Sequence, residues 1–168
     1  ILAHPSIVAD AEQRADGSLD LRVQRKIRTL PQSQTSRGIT TDLAFAIYDD
    51  LTTPIPIIRN EELILLRAEA NIGAGNAVAA LPDLNFIREN AGGLPPLTSA
   101  AQATLDEVLE QRRFSLLFEG GHRWIDLRRT GRLAELPLDR PNHRHNERFP
   151  IPEAECLARG LQTCSAGS

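Results

Sequence analysis

The sequence predicts a mainly α-helical protein, in which irregular segments and short strands precede a helical body. Two observations carry this. From Asn60 to Arg129, apolar residues recur at helical spacing in four stretches, each stopped by glycines. Before residue 59 that period is missing, and alternating residues, prolines and short apolar runs take its place. The 168 residues, 41% of them hydrophobic, suffice for about one domain with a packed core, so a disordered chain is excluded. A net charge of -3 supplies no basic patch for nucleic acid. No apolar run reaches the roughly 18–20 residues of a membrane-spanning helix. Methionine is absent, so Ile1 is not expected to be an initiation residue. The chain reads as a processed product or part of a longer polypeptide, with any signal peptide upstream.

Residues 1–58 are expected to be irregular, with short strands. Leu19, Leu21, Val23 and Ile27 alternate with Asp20, Arg22, Gln24 and Lys26, a strand period that Arg25 interrupts. The polar stretch from Pro31 to Gly38 should break it. Phe45 to Tyr48 and Ile55 to Ile58 are short apolar runs, and Pro54 and Pro56 keep the second from being a helix interior.

The helical domain should occupy 59–168. A first helix over 61–73, capped by Asn60 with Glu61 and Glu62 in its first turn, buries most of its girth through Leu63, Ile64, Leu65, Leu66, Ala68, Ala70 and Ile72. A second, over 81–91, holds Leu84, Ile87 and Arg88; Pro82 means that it starts near Leu81 or kinks. Ala68, Gly75 and Ala80 stand at offsets of 7 and 12. Those offsets match a tetratricopeptide-like helical hairpin, and equally any close-packed antiparallel pair. A third helix over 105–119 opens on the capping-box spelling Thr104 to Glu107 and runs to Phe118. A fourth covers 122–129 and stops at Gly131.

The densest polar run is Glu119 to Arg128. Glu119 and Asp126 could be read as an acid/base pair with His122 as shuttle. Spacing favours structure: Glu119 and Arg123 are four apart and Asp126 and Arg129 three apart, which suits ion pairs at helix ends. Trp124, on one face with Leu127 and Arg128, reads as a core plug. His143 and His145 lack evident further ligands, so no metal is expected, and no motif implies a cofactor. Cys156 and Cys164 could close a short loop worth about 2.5 kcal/mol in an oxidising compartment; in a reducing one they would be free thiols. Of the aromatic residues, Phe86, Phe114, Phe118 and Trp124 fall in helices expected to pack inward. Phe45, Tyr48 and Phe149 form no evident cluster.

Several of these segments together resemble a known family. Pro56 to Arg59, Leu63 to Ala70, Leu84 to Arg88, Glu110 to Arg113, Phe118-Glu119-Gly120 with Arg123 to Arg129, and Phe149 to Pro152 with Glu155 are similar to the C-terminal part of the SusD/RagB family. The similarity runs over roughly residues 54–157 in the right order, with Gly121-His122 inserted between the family's EG and RW. It implies a mostly helical fold with tetratricopeptide-like units. It further implies a surface-exposed lipoprotein of the bacterial outer membrane, attached only through an N-terminal lipid anchor that these residues do not include. The implied activity is non-catalytic capture of a glycan or other nutrient for a TonB-dependent transporter. Family ligand surfaces draw on variable loops and an N-terminal half that these residues do not contain, so no ligand-binding residue carries over. Glu119, Arg123, Trp124, Asp126 and Arg128 are read as a structural motif. A helical-repeat scaffold that binds protein is the competing expectation; a glycoside hydrolase would need two carboxylates about 5–10 Å apart in a cleft.

Overall fold

A computed structural model describes residues 1–48, 50–149 and 151–160. Among these, seven α-helices and one two-stranded sheet make a mixed, helix-rich chain. It divides into two compact units, residues 1–126 and the segment from Leu127 onward.

The first unit opens with a short helix, α1 (Ser6–Ala9), and a second, α2 (Leu21–Lys26). The strand expected over Leu19 to Ile27 is therefore corrected to a helix followed by a strand. The Asp20 carboxylate accepts from the Arg22 backbone N–H at 2.7 Å, a side-chain cap that starts the turn. Arg22 and Val23 are both buried, as neighbours on a helix can be and neighbours on a half-buried strand cannot.

Strands β1 (Ile27–Ser36) and β2 (Ile39–Phe45) pair antiparallel, from Ile27 opposite Phe45 to Ser36 opposite Ile39. The two-residue turn at Arg37 and Gly38 has φ of 50° and 82°, the doubly left-handed geometry that matches strand twist. The expected break from Pro31 to Gly38 is thus strand as far as Ser36, with the turn at its end. Its register shift between Thr29 and Gln34 takes up Pro31. Most of β1 is solvent-exposed, so burial imposes no alternation on its sequence.

Helix α3 (Asn60–Gly73) has Arg59 at its N-cap with no side-chain cap bond, so Asn60 is its first residue and not the cap. Helix α4 (Ala77–Ile87) begins four residues before the expected Leu81, because the Asn76 side chain accepts from Ala79 N–H at 3.2 Å. Pro82 lies inside α4. The carbonyl its missing N–H would have bonded belongs to Val78, an exposed residue within reach of water. A π-turn, Arg88–Gly92, ends the helix.

Helices α3 and α4 pack on each other and on α5 (Leu105–Ser115) around Leu65, Ala68, Ala80, Leu84, Ile87 and Val108, all fully enclosed. Ala68 and Ala80 sit in this core, where the absence of a larger side chain lets the helix backbones approach. Gly75 does not; it is exposed in the connecting turn at φ 74°, with open space around it. Leu63 and Leu66 are about half exposed, so α3 buries one face and not most of its girth. Helix α5 stops at Ser115, short of the expected 119, and Leu116 is its C-cap. Thr104 caps it as expected, accepting from Glu107 N–H at 3.2 Å. The Glu107 carboxylate goes elsewhere, to Arg88 and Gln111.

Two cations join the N-terminal segment to α5. Arg22 donates to the Gln111 carbonyl and the Ser115 hydroxyl, and Lys26 donates to the Phe114 and Ser115 carbonyls. Asp20 neutralises Arg22, and both are buried. Arg88 likewise ties Glu12, Glu107 and the Pro95 carbonyl together.

Helix α6 (His122–Arg129) matches its expected bounds, and the unit division falls within it. The second unit continues through a 3₁₀ turn, Leu133–Glu135, to α7 (Glu153–Ala158), where Cys156 is fully buried.

Replacing Asp20 by Ala would leave the buried Arg22 guanidinium without its carboxylate. Urea unfolding should show a loss of about 3–5 kcal/mol, with Asp20→Asn losing less because it keeps an acceptor.

Candidate functional site

The segment between α5 and α6 holds the densest polar run, and its geometry follows from how α5 ends. The chain reverses through Phe118, Gly120 and Gly121, with φ of 62°, 52° and 72°. Two of these are glycines, which enter the left-handed region without cost. Phe118 is not, and a bulky side chain there costs about 1–2 kcal/mol. The expectation that Phe118 packs inward from a helix is corrected by this turn, because the helix has already ended.

Phe118 stacks on Phe45 at the end of β2, with centroids 4.0 Å apart and planes 15° from parallel. Tyr48 lies 6.3 Å away at a 48° tilt. The three rings form the aromatic cluster that the sequence did not disclose, and Phe118 remains 40% exposed. Such stacking contributes about 0.5–1.5 kcal/mol per pair, enough to offset much of the backbone strain.

Glu119, the next residue, turns its carboxylate to two cations brought from far along the chain. Arg59 donates to it at 2.6 Å and Lys26 at 3.3 Å. These long-range partners correct the local pair expected with Arg123. Burial pushes the Lys26 ammonium below its ordinary pKa of 10.5; Glu119 opposes that shift and Arg59 reinforces it. His122 approaches Glu62 at 3.9 Å.

The remaining motif residues lie on α6. Asp126 is buried and accepts from Arg112 of α5 at 2.8 Å. Arg123 and Trp124 are half-buried and Arg128 is exposed, so Trp124 is not a fully enclosed plug. Glu119 and Asp126 each face a guanidinium, and each carboxylate is held in a charge pair. His145 bonds the Leu136 carbonyl at 2.9 Å. Among the described residues, no three His, Cys, Asp or Glu side chains group as metal ligands. The suggested bridge from Cys156 to Cys164 lies outside the described residues, because Cys164 does.

A separate cavity of about 820 Å³ opens beside the hairpin, lined among others by Ile1, His4, Gln34, Thr35, Arg37 and Thr41. Its walls carry hydroxyl, amide, imidazole and guanidinium groups and, among the described residues, no carboxylate.

Lys26, Arg59 and the Phe45–Tyr48–Phe118 cluster were not legible as site residues. The signal nearest to them was the Gly120-Gly121 pair, which marks a left-handed turn without telling which side chain the turn presents.

The profile described as the SusD family matches residues 37–155. The SusD-like protein P38 of Formosa agariphila is 34% identical over 93 residues, which are 50% of this chain and 18% of that protein. The chain thus spans about a fifth of the length of the curated relative it matches. No solved structure matches.

Glu110 of α5 allows a test of the electrostatics around this helix. Burial raises its pKa above the ordinary 4.5, Arg113 and Arg123 oppose the shift, and Glu12 and Asp10 add to it. The folded state therefore binds the proton more tightly than the unfolded one. The stability this supplies is full below pH 4.5 and is lost as pH rises through the folded value. Glu110→Gln should be more stable than wild type at pH 7, and the difference should vanish below about pH 4, as thermal melts across pH would record.

Proposed function

The chain belongs to the SusD family, and from that premise we propose that it serves in non-catalytic capture of a nutrient, in the first place a glycan. Members of this family are in general glycan-binding, non-catalytic and associated with the outer membrane. The finer reading places this protein on the outer face of that membrane, held by an N-terminal lipid anchor and working with a TonB-dependent transporter. The family match over residues 37–155 carries the proposal. The charge pairing of Glu119 with Arg59 and Lys26, and of Asp126 with Arg112, supports its non-catalytic part. Both carboxylates that an enzyme reading would employ are already engaged.

Within this reading, residues 59–168 correspond to a C-terminal family domain whose α3–α4 pair is a tetratricopeptide-like unit. Glu119, Arg123, Trp124, Asp126 and Arg128 act as scaffold, joining α5 to the segments around it. A bridge between Cys156 and Cys164 would suit a protein exposed outside the cell.

Two measurements bear on this. Calorimetry of the full-length protein against β-glucan, α-glucan, xylan, galactan, alginate and pectin should show binding to at least one, and chromatography should find it unshortened. Shortened products would end the non-catalytic assignment. Trp124→Ala should leave that binding unchanged and lower stability by about 1–3 kcal/mol. That is less than the roughly 3–5 kcal/mol of a fully enclosed ring, because Trp124 is only half-buried.

A further inference from the structure

Resting on the reading of this protein as a glycan-capture protein, we propose that Phe118, Phe45 and Tyr48 form a stacking platform for a pyranose ring, with Arg59 at its rim. A pyranose has a face of C–H groups ringed by hydroxyls. The complementary surface is a flat aromatic face beside polar donors and acceptors, and the turn after α5 builds that combination.

The rings gather here from two parts of the chain. Phe45 ends β2 and Tyr48 follows three residues later, while Phe118 arrives from the α5–α6 turn. Of the seven aromatic residues in the sequence (five Phe, one Tyr and one Trp), three meet at this point. The three rings are gathered into one cluster, and Phe118 keeps 40% of its surface exposed.

The backbone points the same way. Phe118 keeps a left-handed conformation in the same turn as Gly120 and Gly121. Strain retained at a bulky residue is a mark of a position where the side chain's direction matters. Packing of Phe118 on Phe45 holds that direction, and a ring fixed before the ligand arrives loses little entropy on binding.

The rim supplies polarity. Glu119 is covalently next to Phe118 and anchors Arg59, whose side chain is about a third exposed. Arg59 thus keeps part of its side chain open to solvent beside Glu119, while Lys26 is more enclosed. The Tyr48 hydroxyl makes no hydrogen bond with a described residue and can serve a sugar hydroxyl. Phe86, 53% exposed on α4, has no ring neighbour among the described residues and makes a suitable control.

The test is calorimetry of the full-length protein with cellohexaose, maltohexaose and each polysaccharide of the panel above that the wild type binds. Phe118→Gly removes the ring and relieves the backbone at once; Tyr48→Ala removes a ring outside the strained turn. Both should weaken binding, Phe118→Gly by about tenfold or more, the equivalent of one good aromatic contact. Phe86→Ala should bind as wild type, and circular dichroism should show every variant folded. If Phe118→Gly fails to fold, Tyr48→Ala decides alone. Wild-type affinity in the folded platform variants overturns the platform and leaves glycan capture standing. A wild type that binds none of the saccharides overturns glycan capture and the platform with it.

Discussion

The end of α5 depends on cations that come from about 90 residues earlier. A helix leaves its last carbonyls without backbone partners and concentrates negative potential there. Here Lys26 takes the Phe114 and Ser115 carbonyls, and Arg22 takes the Gln111 carbonyl and the Ser115 hydroxyl. The Phe114 ring lies under the Arg22 guanidinium at 5.7 Å and the Arg113 guanidinium at 5.3 Å. These cations satisfy acceptors at the end of α5, and the chain reverses in the residues that follow. The placement of Phe118 and Glu119 follows from that reversal.

Buried arginine–carboxylate pairs recur elsewhere in the chain. Asp20 with Arg22, Arg88 with Glu12 and Glu107, and Arg112 with Asp126 are each buried on at least one side. A buried pair of this type adds little net stability over an apolar substitute, yet losing one partner is costly because the other charge stays in the interior. Among them, Arg88 with Glu12 joins segments 76 residues apart in sequence. Small residues at the α3–α4 contact do the complementary apolar work, since Ala68 and Ala80 let Leu65, Leu84 and Ile87 close into one core.

In the proposed reading, membership of the SusD family gives the surface its meaning. A capture protein needs an open surface that recognises ring faces and hydroxyls and performs no chemistry on them. The exposed Phe118 ring beside Arg59 and Glu119 has that chemical character. Glu119 and Asp126 are each engaged in a charge pair.

The sequence by itself determined the helical body, because α3, α5 and α6 carry strong local signals: an apolar period, acidic first turns in α3 and α5, a Thr104 cap and glycine stops. It also carried the family through ordered motifs that span most of that body. Tertiary structure alone decided the rest. Leu19 to Ile27 alternates like a strand, but Asp20 and the acceptors on α5 turn Leu21–Lys26 into a helix that lets Arg22 and Val23 both be buried. β1 was illegible because solvent covers most of it and no periodic burial marks the residues. Glu119 paired with Arg59 and Lys26 for a related reason: local spacing can suggest an ion pair, but a carboxylate follows the strongest positive field, and the fold supplies that field. Phe118 shows the limit most plainly. Its exposure depends on where α5 ends, and the acceptors at that end are held by two side chains about 90 residues away.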